Sequence, residues 1–170
     1  DGPNSLDYKN NLVVLELDHL KGKKHLQQVV LLQLIAQLNN EFYLGDRRVP
    51  KILLVDEAWE AFEDPMVAKF LEGAFRRMRK AAAAPVVVTQ SLRDLYNSAS
   101  GEAIANNAAN VIVLRQNGEA IEALKESGRF NIGDYGYEML KSLHTEPGQY
   151  SEVLFRSGTA WGVGRFVVDR

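Results

Sequence analysis

The sequence predicts an α/β protein, a mainly parallel sheet flanked by helices with an antiparallel hairpin at its C-terminal end. Three observations carry that reading. Short aliphatic runs recur, at 52–55, 86–88 and 111–114, too short for helices and suited to strands buried on both faces. Between them apolar residues return at helical spacing, and strands alternating with helices build parallel sheets. Near the end, two runs at 149–155 and 161–168 are joined through Ser157-Gly158, a hairpin signal.

Taken in order, Gly2, Pro3 and Asn4 make residues 1–10 a loop lead-in. Residues 12–17 read as a strand and 18–24 as a polar connection. Leu26, Val29, Val30, Leu34 and Leu38 mark a helix over about 24–42, and Leu31, Leu32 and Ile35 widen its apolar face, so that it is expected to be largely buried. Residues 45–48 form a turn and Val49-Pro50 leads into the central strand. Asp64 and Pro65 fit the cap and first position of the next helix. Its stripe is Val67, Phe70, Leu71, Ala74, Phe75 and Met78, and Pro85 is read as its stop. A second buried strand spans 85–91 and ends in polar Thr89, Gln90 and Ser91. Ser91 caps a short helix through Tyr96, 101–107 is another helical turn, and 110–115 is a third buried strand. Short helices follow at 119–126, capped by Asn117, and at 134–143. Glu146-Pro147-Gly148 is a turn.

The chain has 170 residues, enough for one domain with a core, and its 46% hydrophobic and 25% charged content is ordinary for a globular protein. A formal net charge of -2 gives no global basic field for nucleic acid. There is no Cys, which excludes disulfides and thiolate metal sites. His19, His25 and His144 are scattered and form no spaced ligand set. No apolar run reaches the ~18 residues needed to span a bilayer, and the first residues are not a signal peptide, so a soluble chain is expected.

The chemistry centres on Lys51-Ile52-Leu53-Leu54-Val55-Asp56-Glu57-Ala58-Trp59. A strand ending in two carboxylates puts them at the carboxyl edge of a parallel sheet, where open α/β sheets bind ligands. In P-loop NTPases this is the Walker B pattern: the Asp helps to hold Mg²⁺, and an adjacent Glu orients and deprotonates the attacking water. The other reading is a strand end before a helix N-terminus, where acids favour the macrodipole. Gln90 ends the next strand and is expected beside Asp56, where its amide can sense a γ-phosphate or the water. Otherwise it satisfies loop backbone. Arg76, Arg77 and Arg79 either complement a helix C-terminus or supply an arginine finger to a neighbouring subunit's nucleotide, with Arg115 as the next candidate. Trp59, Phe62, Tyr96, Trp161 and Phe166 could stack bases, but their spacing suits core or interface packing better. Gly22-Lys23-Lys24 is not a phosphate loop, since no Gly stands five residues before Gly22 and position 24 is not Ser or Thr. No Walker A sequence occurs in the 170 residues.

These pieces, in this order, resemble TraC-type ATPases, the large conjugative ATPases of bacterial type IV secretion systems. The matching segments are Val13-Val14-Leu15-Glu16-Leu17, Leu26-Gln27-Gln28-Val29-Val30-Leu31-Leu32-Gln33, residues 51–59, Phe75-Arg76-Arg77-Met78-Arg79-Lys80, Val87-Val88-Thr89-Gln90-Ser91 and residues 106–110. The resemblance implies a RecA-like P-loop ATPase domain related to FtsK and HerA translocases. It implies ATP and Mg²⁺ as ligands, with Asp56 and Glu57 as the Walker B pair, Gln90 as the sensor and the basic helix end as the source of a trans-acting arginine. It further implies a hexamer on the cytoplasmic side of the inner membrane. The partners would be secretion-system inner-membrane components and the coupling protein, and the work would be pilus assembly and transfer of DNA or protein. Because the family's Walker A loop and N-terminal domain lie upstream of these motifs, residues 1–170 are expected to be a partial C-terminal ATPase domain, inactive alone. Two rivals are a DNA-pumping ATPase of the FtsK/HerA type, for which the charge gives no support, and a non-catalytic assembly module.

Overall fold

The computed structural model of the protein describes residues 10–20 and 22–167. The expected lead-in over 1–9 and the end of the last strand at Val168 lie outside the described residues. The architecture is α/β, with two small sheets and helices packed against them. Helix α1 (Lys24–Asn39) runs into a π-helical turn at Asn40–Leu44. Strand β1 (Lys51–Val55) is followed by α2 (Ala58–Glu63) and α3 (Pro65–Arg77), a 3-10 turn at Met78–Ala81, and β2 (Ala83–Val87). Helices α4 (Leu92–Tyr96) and α5 (Ala99–Asn107) lead to β3 (Asn110–Val113). Next come α6 (Gly118–Ser127), α7 (Gly133–Ser142) and the two-residue β4 (Thr145–Glu146). The hairpin of β5 (Tyr150–Ser157) and β6 (Ala160–Val167) closes the series.

The local signals work as their chemistry requires. Asp64 Oδ1 accepts from the backbone N–H groups of Met66 and Val67 at 2.8 and 3.2 Å, with Pro65 opening α3. Ser91 and Asp94 form a reciprocal capping box on α4. Asn117 caps α6, and Gly128 ends it in the left-handed region at φ 63°.

The parallel pairing is confined, among the described residues, to β1 and β2, in register from Lys51 opposite Ala83 to Val55 opposite Val87. The third strand does not join them. β3 pairs antiparallel with β5, from Asn110 opposite Ser157 to Val113 opposite Leu154. β4 follows β3 along that edge of β5, and β6 runs along the other. Short aliphatic runs look alike whichever strand they pair with, so the sequence could not separate the two cases.

Several expectations about burial and element ends are corrected. Residues 12–17 form no strand with any described residue, and Leu12 and Val14 are 78% and 71% exposed. Only Leu34 of α1 is buried, while Leu26, Val29 and Leu32 are exposed. β1 is covered on one face only, leaving Ile52 and Leu54 open at 71% and 60%. Pro85 does not stop the preceding helix but sits inside β2. Ala82 O accepts from Lys51 N–H, and Val88 N–H donates to Val55 O. Even-numbered positions of β2 therefore face β1, and the missing N–H of Pro85 points away from the ladder. The helix ends instead where Ala82 turns left-handed at φ 52°.

Two apolar cores hold these elements. One joins sheet β3–β6 to α4, α6 and α7 through Leu92, Val113, Ile121, Phe130, Tyr137 and Leu154. The other sits between the π-helical turn, α3 and β2, built from Phe42, Ala74, Met78 and Ala83. Helix α5 packs on α3 and α4, burying Ile104 and Ala105.

Candidate nucleotide-hydrolysis edge

Asp56 and Glu57 follow β1 directly, and Gln90 lies three residues past β2. The parallel ladder runs beyond the strand ends: Val88 N–H donates to Val55 O, and Ala58 N–H donates back to Val88 O, both at 2.9 Å. This double stitch fixes the start of α2 against the end of β2, with Ala58 wholly buried. The two carboxylates are thereby left on the exposed carboxyl edge, and Gln90 is carried up beside them.

Glu57 adopts the left-handed conformation, φ 48° and ψ 45°. That is uncommon for a residue with a side chain, costs about 1–3 kcal/mol, and persists where the surroundings enforce it. Here the Glu57 N–H donates to Asp56 Oδ1 at 2.9 Å, and Glu57 O accepts from Glu60 N–H at 3.0 Å. Gln90 Nε2 donates to Glu57 Oε1 at 3.1 Å and to Oε2 at 3.3 Å. Trp59 Nε1 donates to Glu57 Oε2 at 2.7 Å. So Asp56, Glu57 and Gln90 come together at one edge, and the amide bonds the second carboxylate.

Trp59 is the residue that sequence reasoning missed, having been assigned to core or interface packing. Its signal was position. It stands two residues after Glu57, in the first turn of α2.

The arginines lie elsewhere. Helix α3 carries the chain from the acidic edge toward the opposite, amino end of the parallel pair, about 20 Å over 13 residues. At that end Arg76 Nη2 pairs with Glu72 Oε1 at 2.8 Å. The Arg77 guanidinium sits 5.8 Å from the Tyr43 ring centroid, and Arg79 is exposed. The structure therefore does not bring Arg76, Arg77 or Arg79 to the Asp56–Glu57–Gln90 edge of the same chain. Arg115 is exposed just beyond β3. An apolar concavity of about 390 Å³ between α1 and the start of α3, lined by Val29, Leu32, Asp64, Pro65 and Met66 among others, includes none of these residues.

The donor set suits Mg²⁺ held jointly with phosphate. Among the described residues no group of three or more His, Asp or Glu is placed to bind a metal by itself. Mg²⁺ in phosphate chemistry is bound by one or two carboxylates, with waters and phosphate oxygens completing the octahedron. The exposed Asp56 carboxylate, with Oδ1 already oriented by Glu57 N–H, fits that need.

Comparison with known proteins agrees with this fold. Protein TraC of Escherichia coli (strain K12) is 29% identical over 125 residues, covering 71% of this chain and 14% of TraC. The structure of VirB4 of Thermoanaerobacter pseudethanolicus superimposes with a TM-score of 0.69 and 22% identity, over 99% of this chain and 44% of that one. The chain thus spans about a seventh of TraC and less than half of the VirB4 structure. The resemblance to TraC read from the ordered motifs is met by the first of these, and the α/β fold by the second. The family model described as the TraG P-loop domain matches residues 3–155, and the chain belongs to that family.

Proposed function

We propose that the protein carrying this chain is an ATP-hydrolysing motor of a conjugative type IV secretion system, and that residues 1–170 supply the Walker B half of its site. The observation that carries this reading is the pairing of the Gln90 amide with the Glu57 carboxylate at the carboxyl edge of a parallel strand pair. A strand-end acid and a polar tip on the neighbouring strand, in hydrogen-bond contact, are the parts needed to orient a water beside a phosphate.

In this reading Asp56 helps to hold Mg²⁺, which would supply charge neutralisation at the phosphates. Glu57 accepts the proton of the attacking water. Gln90 exchanges its hydrogen bond to Glu57 for one to the γ-phosphate or the water, so that bond to the carboxylate is released only when nucleotide is present. The phosphate loop would come from sequence preceding residue 1, and the isolated chain would not hydrolyse ATP. The arginine-rich end, remote from its own acidic edge, would serve the site of a neighbouring subunit in a ring. As a TraC-type ATPase the protein would dock on the inner-membrane secretion machinery and its coupling protein, with pilus assembly and substrate transfer as the work performed. No helix among the described residues is long and apolar enough to cross a membrane.

The test is Glu57→Gln in the longer protein. Hydrolysis should fall by ~100-fold or more, the usual contribution of a general base, while calorimetry still shows Mg²⁺–ATP binding. Loss of binding as well would make Glu57 structural. Tight Mg²⁺–ATP binding by residues 1–170 alone would mean that phosphate is held by other groups and would end the Walker B assignment.

A further inference from the structure

We infer that Trp59 is a positioning residue for Glu57, anchoring carboxylate oxygen Oε2 so that Oε1 is the oxygen presented to the water. The inference rests on the reading of Asp56, Glu57 and Gln90 given above.

The geometry distinguishes Trp59 from Gln90. The indole N–H of Trp59 approaches Oε2, at 2.7 Å. That is the short range of a hydrogen bond to an ionised group. The Gln90 amide is longer and divided, 3.1 Å from Oε1 and 3.3 Å from Oε2. Residues two apart along a helix do not face one another. Trp59 reaches Glu57 because Glu57 precedes the helix in the left-handed conformation, which turns its side chain back over the first turn of α2. The backbone around the pair is fixed independently, by Glu57 N–H on Asp56 Oδ1 and by Ala58 N–H on Val88 O. The rare φ of Glu57 therefore has an identifiable product, a carboxylate held by the indole two residues later.

The two donors then have different tasks. Gln90 belongs to the loop after the neighbouring strand and can turn toward a phosphate. Trp59 belongs to the same turn as Glu57 and moves with it. When Gln90 turns, the carboxylate stays anchored through Oε2 and keeps its orientation. The water's proton passes to Oε1, and its oxygen bonds to the γ-phosphorus. The bond from that phosphorus to the bridging oxygen breaks, and ADP leaves.

Two measurements test this. The chain contains two tryptophans, Trp59 and Trp161, so Trp161→Phe assigns the two indole ¹⁵N–¹H resonances of the 170-residue protein. Trp59 Nε1 donates to a charged carboxylate oxygen, so the Trp59 indole proton should shift upfield in Glu57→Gln, where the acceptor becomes a neutral amide. An indole resonance indifferent to Glu57→Gln would overturn the inference without any nucleotide present. In the longer, hydrolysing protein, Trp59→Phe keeps an aromatic ring and removes the N–H. kcat should fall by ~10- to 100-fold, the scale of a small misplacement of a reacting group, with KM for ATP unchanged. If wild type turns over and Trp59→Phe leaves kcat untouched, the positioning role is wrong and the site reading survives. If wild type does not turn over, or Glu57→Gln is as active as wild type, the site reading itself fails and the inference with it.

Discussion

Replacing Tyr137 with Phe isolates one buried hydroxyl. Tyr137 is 5% exposed, and its Oη donates to Phe130 O at 2.6 Å, with Leu124 O at 3.3 Å. The Phe130 ring is wholly buried, so this bond pins the α6–α7 loop onto the core. The substitution keeps the ring and removes only the donor. Leu124 O still accepts from Ser127 Oγ at 2.8 Å, whereas the Phe130 carbonyl loses its short donor. A net hydrogen bond is worth about 1 kcal/mol, and a buried acceptor deprived of its partner adds to that, so a loss of about 2 kcal/mol is expected. For a domain of this size that lowers Tm by about 4–8 °C. Urea unfolding followed by circular dichroism should show the midpoint fall at constant m. Tyr96→Phe is the internal comparison. That ring is half-buried and its hydroxyl reaches the carbonyl of exposed Arg129 at a longer 3.3 Å, so its loss should cost about 0.5 kcal/mol. Equal losses from the two substitutions would refute the argument that burial sets the size of the effect.

The same two tyrosines contribute to the loss of stability at alkaline pH. Burial, the largest cause in each, raises both phenols above their ordinary range near 10, so the folded state favours the neutral form. That contribution is complete below pH ~10 and declines as pH rises toward the folded values. Tyr137→Phe should therefore lose less stability than wild type between pH 9 and 11, and an identical decline would exclude Tyr137 as a source. Ala82 is exposed at φ 52°, a conformation that glycine adopts without steric penalty. Ala82→Gly should raise stability by about 0.5–1 kcal/mol in thermal unfolding, and a decrease would mean that the methyl group contributes packing. Replacing Arg76, Arg77 and Arg79 one at a time by Ala in the longer protein should reveal one position at which turnover falls ~10³-fold, and only in the assembled oligomer. Unchanged turnover in all three would move the search to Arg115.

Much of the site was legible because strand ends and helix caps are local. Asp56 and Glu57 close an aliphatic run, Gln90 closes the next, and Asp64-Pro65, Ser91 and Asn117 mark helix starts through side-chain-to-backbone bonds spanning two or three residues. Such features are set by neighbours in the chain, and the sequence determined them. The short-range identity of Trp59 as a partner of Glu57 was not legible, because it needs the left-handed φ of Glu57, which the stitching of Ala58 to Val88 across 30 positions enforces.

Partner choice was decided only in three dimensions. The run at 111–114 reads like those at 52–55 and 86–88, yet β3 pairs antiparallel with β5 while β1 and β2 pair in parallel. The run at 12–17 has strand composition and, among the described residues, no ladder. Aliphatic composition fixes that a segment gains from burial, but it does not fix which edge or face provides it. The sequence by itself therefore determined the chemistry at the strand ends and the alternation of strand and helix. Tertiary structure decided which strands lie together, which faces stay open, and that the arginines sit past the far end of α3 from the carboxylates, because those outcomes depend on contacts between residues far apart in the chain.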